Sequence, residues 1–314
     1  MRLIDLIKNN QKFFSIEITP PFKNKSINTL FRTIERILPY HPTFINITYH
    51  PLKTTKIKIE NIDKEFILKK HVDHIALCAA IKYKYEVEVV PHFVCAGLNK
   101  IEVEDTLFDF SFLGIENILV LRGDPENANE AFKPVDGGYR YAVELVTQIH
   151  AMKQALFMNK IDSHEPIDFC VGVAGYPEKH FEAVSTTEDI DNLKKKIDAG
   201  ADFIITQLCY DVNKFTDWTN LCRKANINVP IIPGFKPLTT MNQIHTLKNV
   251  YNINIPSEIE KNMAMATEKN QAWEYGIQHG IDFSIQLLSA GVPGIHYFTM
   301  GNGKDIAEVV KNIF

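Results

Sequence analysis

Eight short apolar runs alternate with helix-like segments along this chain, and this pattern leaves few possible folds. Each run has the length of a strand and ends in polar residues, glycine or proline. Strands that alternate with helices indicate a parallel sheet, and eight repeats close most simply into an α/β fold of the (β/α)8 TIM barrel type. We predict strands at Phe13–Thr19, Thr43–Tyr49, Val89–Cys95, Asn117–Asp124, Asp168–Ala174, Phe203–Tyr210, Val229–Phe235 and Gly294–Met300.

An open, doubly wound sheet is the alternative architecture. It is disfavoured because no G-x-G-x-x-G motif follows any of the predicted strands. No linker, low-complexity stretch or shift in composition divides the chain, so we predict one catalytic barrel domain over residues 1–314. Between the second and third strands we predict an elaborated loop that contains a helix at Phe66–Ala80. The other predicted helices are Ile27–Leu38, Val103–Leu113, one that begins near Tyr139, and Thr187–Ala199.

Composition and charge exclude several functional classes. The chain has 45% hydrophobic and 23% charged residues and a net charge of −4, so a globular domain is expected and nucleic acid is not an expected partner. Charges interrupt the N-terminal residues, and no apolar run has the length of a membrane span. We therefore expect a cytoplasmic protein that does not bind membranes.

Cysteine and histidine spacing gives no metal motif. The five cysteines show no C-x-x-C pair, so we predict free, buried thiols. His71 and His74 lie three residues apart on the predicted helix, but no thiolate or carboxylate cluster accompanies them. We predict no metal site.

Polar side chains follow most of the predicted strands, where a parallel barrel places its active site. In such a barrel all strand exits converge on one face. That face would collect Glu17, Thr48, Tyr49, His92, Arg122, Asp124, Tyr176, Gln207 and Thr299.

Glu17 is the leading candidate for an acid. It stands between Ile16 and Ile18 near the end of the first strand, where an unpaired charge would be costly. Such a carboxyl is either salt-bridged in the interior or held with a raised pKa for proton transfer. A second carboxylate, Asp124, follows Arg122 and Gly123 at the end of the fourth strand. No P-loop, nucleophile elbow or metal triad is present, and these acidic, amide and aromatic groups suit a planar heterocyclic ligand or cofactor.

Seven ordered motifs give the chain a family resemblance. They are F-S-I-E-I-T-P-P, F-I-N-I-T-Y, P-H-F-V-C, L-V-L-R-G-D-P, Y-P-E-K-H, L-K-K-K-I-D-A-G-A-D-F-I-I-T-Q and P-G-F-K-P. In this order they resemble the methylenetetrahydrofolate reductases, from about Phe13 to Thr299. The resemblance implies a TIM-barrel flavoprotein that reduces 5,10-methylenetetrahydrofolate to 5-methyltetrahydrofolate, which supplies methyl groups for methionine synthesis. FAD would relay the hydride, with NADH or NADPH as donor, and we expect a homo-oligomer.

The resemblance also implies roles for single residues. Glu17 stands at the position of the general acid that protonates folate N10, and Asp124 at that of the aspartate that stabilises a cationic folate and lies beside the flavin. Gln207 would bind folate, and Met241 stands nearest to the position of an aromatic residue that stacks on folate or nicotinamide. The positions that hold FAD would be Thr48, Tyr49, His92, Arg122, Gly123, Asp124, Tyr141, Ala142, Tyr176, His180, Asp189, Asn192 and Lys196.

Three positions depart from the family pattern: Val94 replaces a hydroxyl residue, Met241 replaces the aromatic, and residues 300–303 lack an arginine. We expect no regulatory domain of the kind found in eukaryotic members. Two other functions remain as alternatives. A flavin barrel of the proline dehydrogenase type would need a pair of late arginines, whereas only Arg223 lies beyond Arg140. An inactive folate-binding or assembly barrel would have little use for an acid at Glu17.

Overall fold

The computed structural model describes residues 2–8, 12–50, 53–59, 62–68, 70–125, 130–158 and 165–314, with the backbone alone for 53–59 and 62–68. Within these residues, ten strands form a barrel and one separate hairpin. The strands are β1 (Phe13–Ile18), β2 (Phe44–Ile47), β3 (Lys53–Ile59), β4 (Ile62–Leu68), β5 (Glu88–Val94), β6 (Asn117–Leu121), β7 (Cys170–Gly175), β8 (Phe203–Leu208), β9 (Ile231–Phe235) and β10 (Gly294–Phe298). Eight of them close a parallel barrel in the order β1-β10-β9-β8-β7-β6-β5-β2. The predicted (β/α)8 barrel is confirmed, and the open sheet is excluded.

Helices alternate with the barrel strands and cover the outside of the barrel. No helix among the described residues is both long and apolar enough to cross a membrane. The helices are α1 (Leu3–Lys8), α2 (Ile27–Ile37), α3 (His74–Tyr85), α4 (Lys100–Phe112), α5 (Ala142–Met152), α6 (Thr186–Asp198), α7 (Val212–Lys224), α8 (Met241–Tyr251), α9 (Ser257–Glu268), α10 (Ala272–Ser289) and α11 (Lys304–Val310), with a 3-10 turn at Leu38–Tyr40.

The apolar core has two layers because strand side chains alternate between the two faces of the barrel wall. Ile16, Ile118 and their equivalents point outward and pack in the layer of helices. Phe13 and Phe203 belong to a smaller cluster inside the barrel. Leu3 of α1 joins this inner cluster, so α1 closes the amino-terminal end of the barrel. The opposite, carboxyl-terminal end remains for the functional site.

The predicted helix Phe66–Ala80 begins too early. The segment Phe66–Leu68, predicted as the start of a helix, belongs to β4, which pairs antiparallel with β3 in a hairpin. The preceding Lys-Ile-Lys-Ile sequence has the two-residue period of a strand. Helix α3 begins later, after Asp73, whose carboxylate accepts a hydrogen bond of 3.0 Å from Ala76 N.

The two histidines of the rejected metal motif are consequently not on one helix. His74 is the first residue of α3, whereas His71 precedes it and forms an isolated bridge with Phe22. Within the described ranges, no group of three or more His, Cys, Asp or Glu residues could hold a metal ion. All five cysteines are buried free thiols, as their spacing predicts.

Candidate functional site

The predicted site residues follow the strands at the carboxyl-terminal mouth of the barrel, where they form two neighbouring groups. We call the first the Glu17 cluster; it consists of Ser15, Glu17, Asn46, His92 and His296. We call the second the Arg122 cluster; it consists of Arg122, Asp124, Tyr176, His180, Glu182, Asp189 and Lys196.

Glu17 lies inside the barrel among polar side chains. Its Oε2 is 3.3 Å from His92 Nε2 and 4.0 Å from His296 Nε2, and the side chain is 14% exposed. The adjacent isoleucines in the chain point to the opposite face, into the layer of helices. Ile16 and Ile18 flank Glu17 in the chain but do not surround its carboxyl, because successive strand side chains alternate between faces.

The environment of Glu17 favours its protonated form. Burial raises its pKa above the usual 4.5, and His92 opposes this effect only in part. Burial also lowers the pKa of His92 to about 4 and that of His296 to about 3, so both rings are neutral at neutral pH. No cationic ring therefore stabilises the Glu17 carboxylate. Of the two readings of this carboxyl, the raised pKa is the one that the structure supports.

Hydrogen bonds fix the rings around this acid. Ser15 Oγ lies 2.8 Å from His296 Nδ1, and Asn46 Nδ2 lies 3.2 Å from His92 Nε2. An amide N–H donates only to a lone pair, so this contact is compatible with an unprotonated Nε2 whose single lone pair accepts from Asn46. The backbone of the acid is held as well, since Thr299 Oγ1 donates to the Glu17 carbonyl at 2.7 Å.

Arg122 is the centre of the second cluster, directly after β6. Its guanidinium makes a bidentate ion pair with Glu182, in which the Nη2–Oε1 distance is 3.0 Å, and lies 5.2 Å from the centre of the Phe132 ring. Arg122 holds the pKa of the Glu182 carboxyl below its usual range. Gly123 follows with φ +84°, so this turn itself requires glycine.

Residues from β7 and α6 complete the Arg122 cluster. The Tyr176 and His180 rings pack edge to face at 4.7 Å, and His180 N donates to Asp189 Oδ2 at 3.3 Å. Lys196 Nζ donates to the carbonyl of Ala174 at 2.7 Å. Burial lowers the pKa of Lys196 to about 8 and raises that of Asp189. This wall therefore presents cations beside a buried carboxylate.

Gln207 owes its position to a β-bulge. The pairing of β8 with β9 skips one residue between Ile205 and Leu208, which re-aims the bulged residues relative to a regular strand. Thr206 Oγ1 replaces the missing ladder bond, because it accepts a hydrogen bond of 3.0 Å from Gly234 N. The Gln207 side chain accepts from Leu208 N at 2.9 Å.

The other predicted residues lie outside the two clusters. Thr48 Oγ1 is 3.2 Å from His50 Nε2, and the Tyr49 ring packs edge to face on His74. Tyr141, which is exposed, and Ala142 begin α5. Asn192 is exposed on α6 and accepts from Lys195, and Met241, the first residue of α8, packs against the core.

Several residues that the structure places in the site or beside it were not predicted from the sequence. Ser15 and His296 lie on the same inward face of β1 and β10 as Glu17. The two-residue alternation of strand side chains could have identified them. Glu182 and the buried pair Lys236 and Asp305 carried no such signal, because only the folded chain brings them to their partners.

The donor set of the Arg122 cluster fits an organic cofactor that carries a diphosphate. Arg122 and Lys196 supply the positive charges that a diphosphate attracts, and the buried Asp189 carboxylate is an acceptor for hydroxyl or amino groups. The neighbouring Glu17 cluster adds, on the same face of the barrel, a carboxyl whose pKa is raised by burial.

Comparison with known proteins gives one consistent family. The family model for methylenetetrahydrofolate reductase matches residues 2–314. The chain is 29% identical over 327 residues to methylenetetrahydrofolate reductase (NADH) 1 of Arabidopsis thaliana, covering all of this chain and 51% of the relative. It is 29% identical over 315 residues to a probable methylenetetrahydrofolate reductase (NADPH) of Caenorhabditis elegans, covering 99% of this chain and 44% of the relative.

A solved structure from Clostridium thermocellum, described as an uncharacterized protein that binds two copies of 5-methyl-5,6,7,8-tetrahydrofolic acid, has the same fold. The TM-score is 0.59 at 17% identity, and the match covers 99% of this chain and 98% of that chain. At this identity the match shows the fold alone. The chain spans about half the length of the curated relatives it matches. Because the family model covers nearly all of its residues, the chain belongs to the methylenetetrahydrofolate reductase family.

Proposed function

We propose that the chain is the catalytic barrel of an FAD-dependent enzyme that reduces 5,10-methylenetetrahydrofolate to 5-methyltetrahydrofolate with NADH or NADPH. Family membership supports the reaction class, and relatives named for each nucleotide support the donors. The observation that carries the proposal is Glu17, a buried carboxyl with a raised pKa at the barrel mouth between two neutral histidines. The methyl group of the product would serve methionine synthesis.

The Arg122 cluster is the proposed FAD site. Arg122 and Lys196 would pair with the diphosphate, and Asp189 would accept hydrogen bonds from ribose or adenine. FAD, when bound, supplies the hydride. The positions that complete this proposed site are Thr48, Tyr49, His92, Gly123, Asp124, Tyr141, Ala142, Tyr176, His180 and Asn192.

Glu17 would act as the general acid on folate. Its proton passes to N10, the bond between N10 and the bridging methylene carbon breaks, and the five-membered ring opens to a cation that accepts the hydride. The exposed Asp124 carboxylate, after Arg122, would offset the positive charge on folate. Gln207, re-aimed by the bulge, and Met241 would contact the substrate.

Two alternatives are less consistent with the site. A proline dehydrogenase-type barrel needs a pair of arginines for a substrate carboxylate. Arg223, the only arginine after Arg140, instead donates to the carbonyl of Val229 at 2.9 Å. An inactive folate-binding barrel would gain nothing from the cost of burying Glu17.

An anaerobic visible spectrum of the purified protein tests the proposal. We expect a flavin spectrum that bleaches on addition of NADH or NADPH and returns on addition of 5,10-methylenetetrahydrofolate. A protein that bleaches with dithionite only, and then recovers with folate, would support the folate reaction and overturn the nucleotide donor. A protein that cannot take up FAD would contradict the flavoenzyme and favour the inactive barrel.

A further inference from the structure

A buried ion pair lies beside the mouth of the barrel, outside both clusters. Lys236, directly after β9, places its Nζ 2.9 Å from Asp305 Oδ2 of α11, and its side chain is only 3% exposed. The same Nζ donates a second hydrogen bond, of 3.2 Å, to the carbonyl of Thr299. Tyr210 OH donates to the Lys236 carbonyl at 2.9 Å, so the backbone of the lysine is held too.

Thr299 connects this ion pair to the acid. Its backbone N and its Oγ1 both donate to the carbonyl oxygen of Glu17, at 3.2 and 2.7 Å. A continuous series of contacts therefore runs from Asp305 through Lys236 and Thr299 to the backbone of Glu17. It joins the ends of β9, β10 and β1, and its last member carries the proposed general acid.

Stability does not explain this arrangement well. Two charges removed from water lose more hydration than their mutual attraction restores unless the geometry is very good, and apolar pairs of similar volume often serve a fold equally well. A buried ion pair does, however, fix the position of the groups that it contacts, because an ammonium left without its partners is costly. The group fixed here is the Thr299 carbonyl.

We propose that Lys236, held by Asp305, is a positioning residue that fixes Thr299 and thereby keeps the Glu17 carboxyl in place for proton transfer to the substrate. The inference rests on the proposed function. A misplacement of about 1 Å can slow a reaction by about a hundredfold, so loss of this support has a measurable effect on the acid-dependent step alone.

The test uses Lys236→Met together with Asp305→Leu, which removes both charges and leaves no buried ion unpaired. Thr299→Val is a second variant that removes one of the two hydrogen bonds to Glu17 and leaves the ion pair intact. Lys248→Met is the matched control, since Lys248 forms a 2.7 Å ion pair with Glu260 on the surface. The two half-reactions, reduction of FAD by the nucleotide and its reoxidation by 5,10-methylenetetrahydrofolate, are followed separately by stopped-flow absorbance, along with Tm.

We expect the double variant to keep a Tm close to that of the wild type, and both test variants to slow reoxidation by folate at least tenfold. This loss falls on the rate at saturating folate, while reduction by the nucleotide stays within twofold. The Lys248→Met control keeps both rates. Wild-type folate rates in the double variant would overturn the inference alone, as would an equal loss in both half-reactions. A wild-type protein that takes up FAD and does not reduce folate would overturn the proposed function and this inference with it.

Discussion

The pKa of the Glu17 carboxyl is set by its environment inside the barrel. Its raised pKa is caused by burial beside two histidines that the same burial keeps neutral. The neighbours in sequence, Ile16 and Ile18, contribute to the outer layer of the core. A carboxyl in this setting retains a proton at a pH where an exposed glutamate has lost it.

Replacing Glu17 with Gln is the sharpest test at the residue scale. The amide keeps the size of the side chain and its hydrogen-bonding capacity but has no acidic proton. We expect FAD binding and reduction by the nucleotide to persist, and folate reduction to fall by at least a thousandfold. The two half-reactions, measured anaerobically, check this outcome. Normal folate turnover in this variant would exclude Glu17 from the mechanism.

Lys196 should make FAD binding depend on pH. Its pKa of about 8 means that it is charged below pH 8 and loses its charge above, so attraction for the diphosphate weakens as pH rises. We expect the Kd for FAD to rise by up to about fivefold between pH 8 and 9, the factor by which the charged fraction of Lys196 falls. Quenching of flavin fluorescence on binding gives the Kd.

The control for this pH dependence is Lys196→Arg, whose guanidinium stays charged throughout the range. It should bind FAD with little change between pH 8 and 9. Two neighbours do not change charge there, because the pKa of Tyr176 is about 12 and that of His180 lies below its usual 6.5. The same rise in Kd in the arginine variant would show that another group is responsible.

Among the secondary-structure elements, the β8 bulge gives Gln207 an orientation that a regular strand would not allow. It places Gln207 at the mouth and depends on the close approach of β9, where Gly234 faces Thr206. The hairpin of β3 and β4 is a second irregular element, inserted between the second and third barrel strands. The conformation of both the bulge and the hairpin depends on pairing with a neighbouring strand more than on the local amino-acid sequence.

Gly234→Ala should disturb the bulge. A Cβ at this position would lie 2.2 Å from the Thr206 carbonyl oxygen and 2.7 Å from the Phe298 ring. We expect the free energy of unfolding to fall by at least about 2 kcal/mol, and the KM for folate to rise because Gln207 shifts. Urea denaturation and steady-state kinetics measure the two effects. Gly301→Ala is the control, since the nearest atom there is 3.6 Å from the new Cβ and neither quantity should change.

In the molecule as a whole, one end of the barrel contributes to stability and the opposite end carries the residues for chemistry. The amino-terminal end is filled by the inner apolar cluster, which includes Phe13 and Phe203, and is closed by α1. Leu3 of α1 is fully buried, and its backbone N donates to Asn117 Oδ1 at 2.7 Å. The carboxyl-terminal end carries the polar clusters. Substitutions at the first end are therefore expected to alter stability without altering catalysis.

Leu3→Ala tests this separation. It leaves a cavity under the barrel, so we expect the free energy of unfolding to fall by about 3 kcal/mol while the KM for folate stays within twofold. Leu156→Ala, at an exposed position, is the matched control and should change neither. Unchanged stability in Leu3→Ala would show that α1 does not close the barrel in solution.

Much of the fold follows from the sequence because its signals are local. All eight barrel strands lie within a few residues of their predicted positions, because a short apolar run bounded by turn residues indicates a buried strand. The predicted helix Phe66–Ala80 was correct from His74 onward and wrong at Phe66–Leu68, because a short apolar run can form either a strand or a helix until its partner strand is known. The carboxyl-terminal site residues follow from the parallel topology.

The amino-acid sequence alone was enough for the number of the barrel strands and their order along the chain, for the family, and for the residue types at the mouth of the barrel. The partner of each side chain follows from the folded structure: Glu17 faces the two histidines, Arg122 the carboxylate of Glu182, and Lys236 the carboxylate of Asp305. This is because the periodicity of apolar residues predicts only local secondary structure and burial. The hydrogen bonds and ion pairs of the site form between residues that are far apart in the chain and come within 4 Å of each other only when the barrel closes.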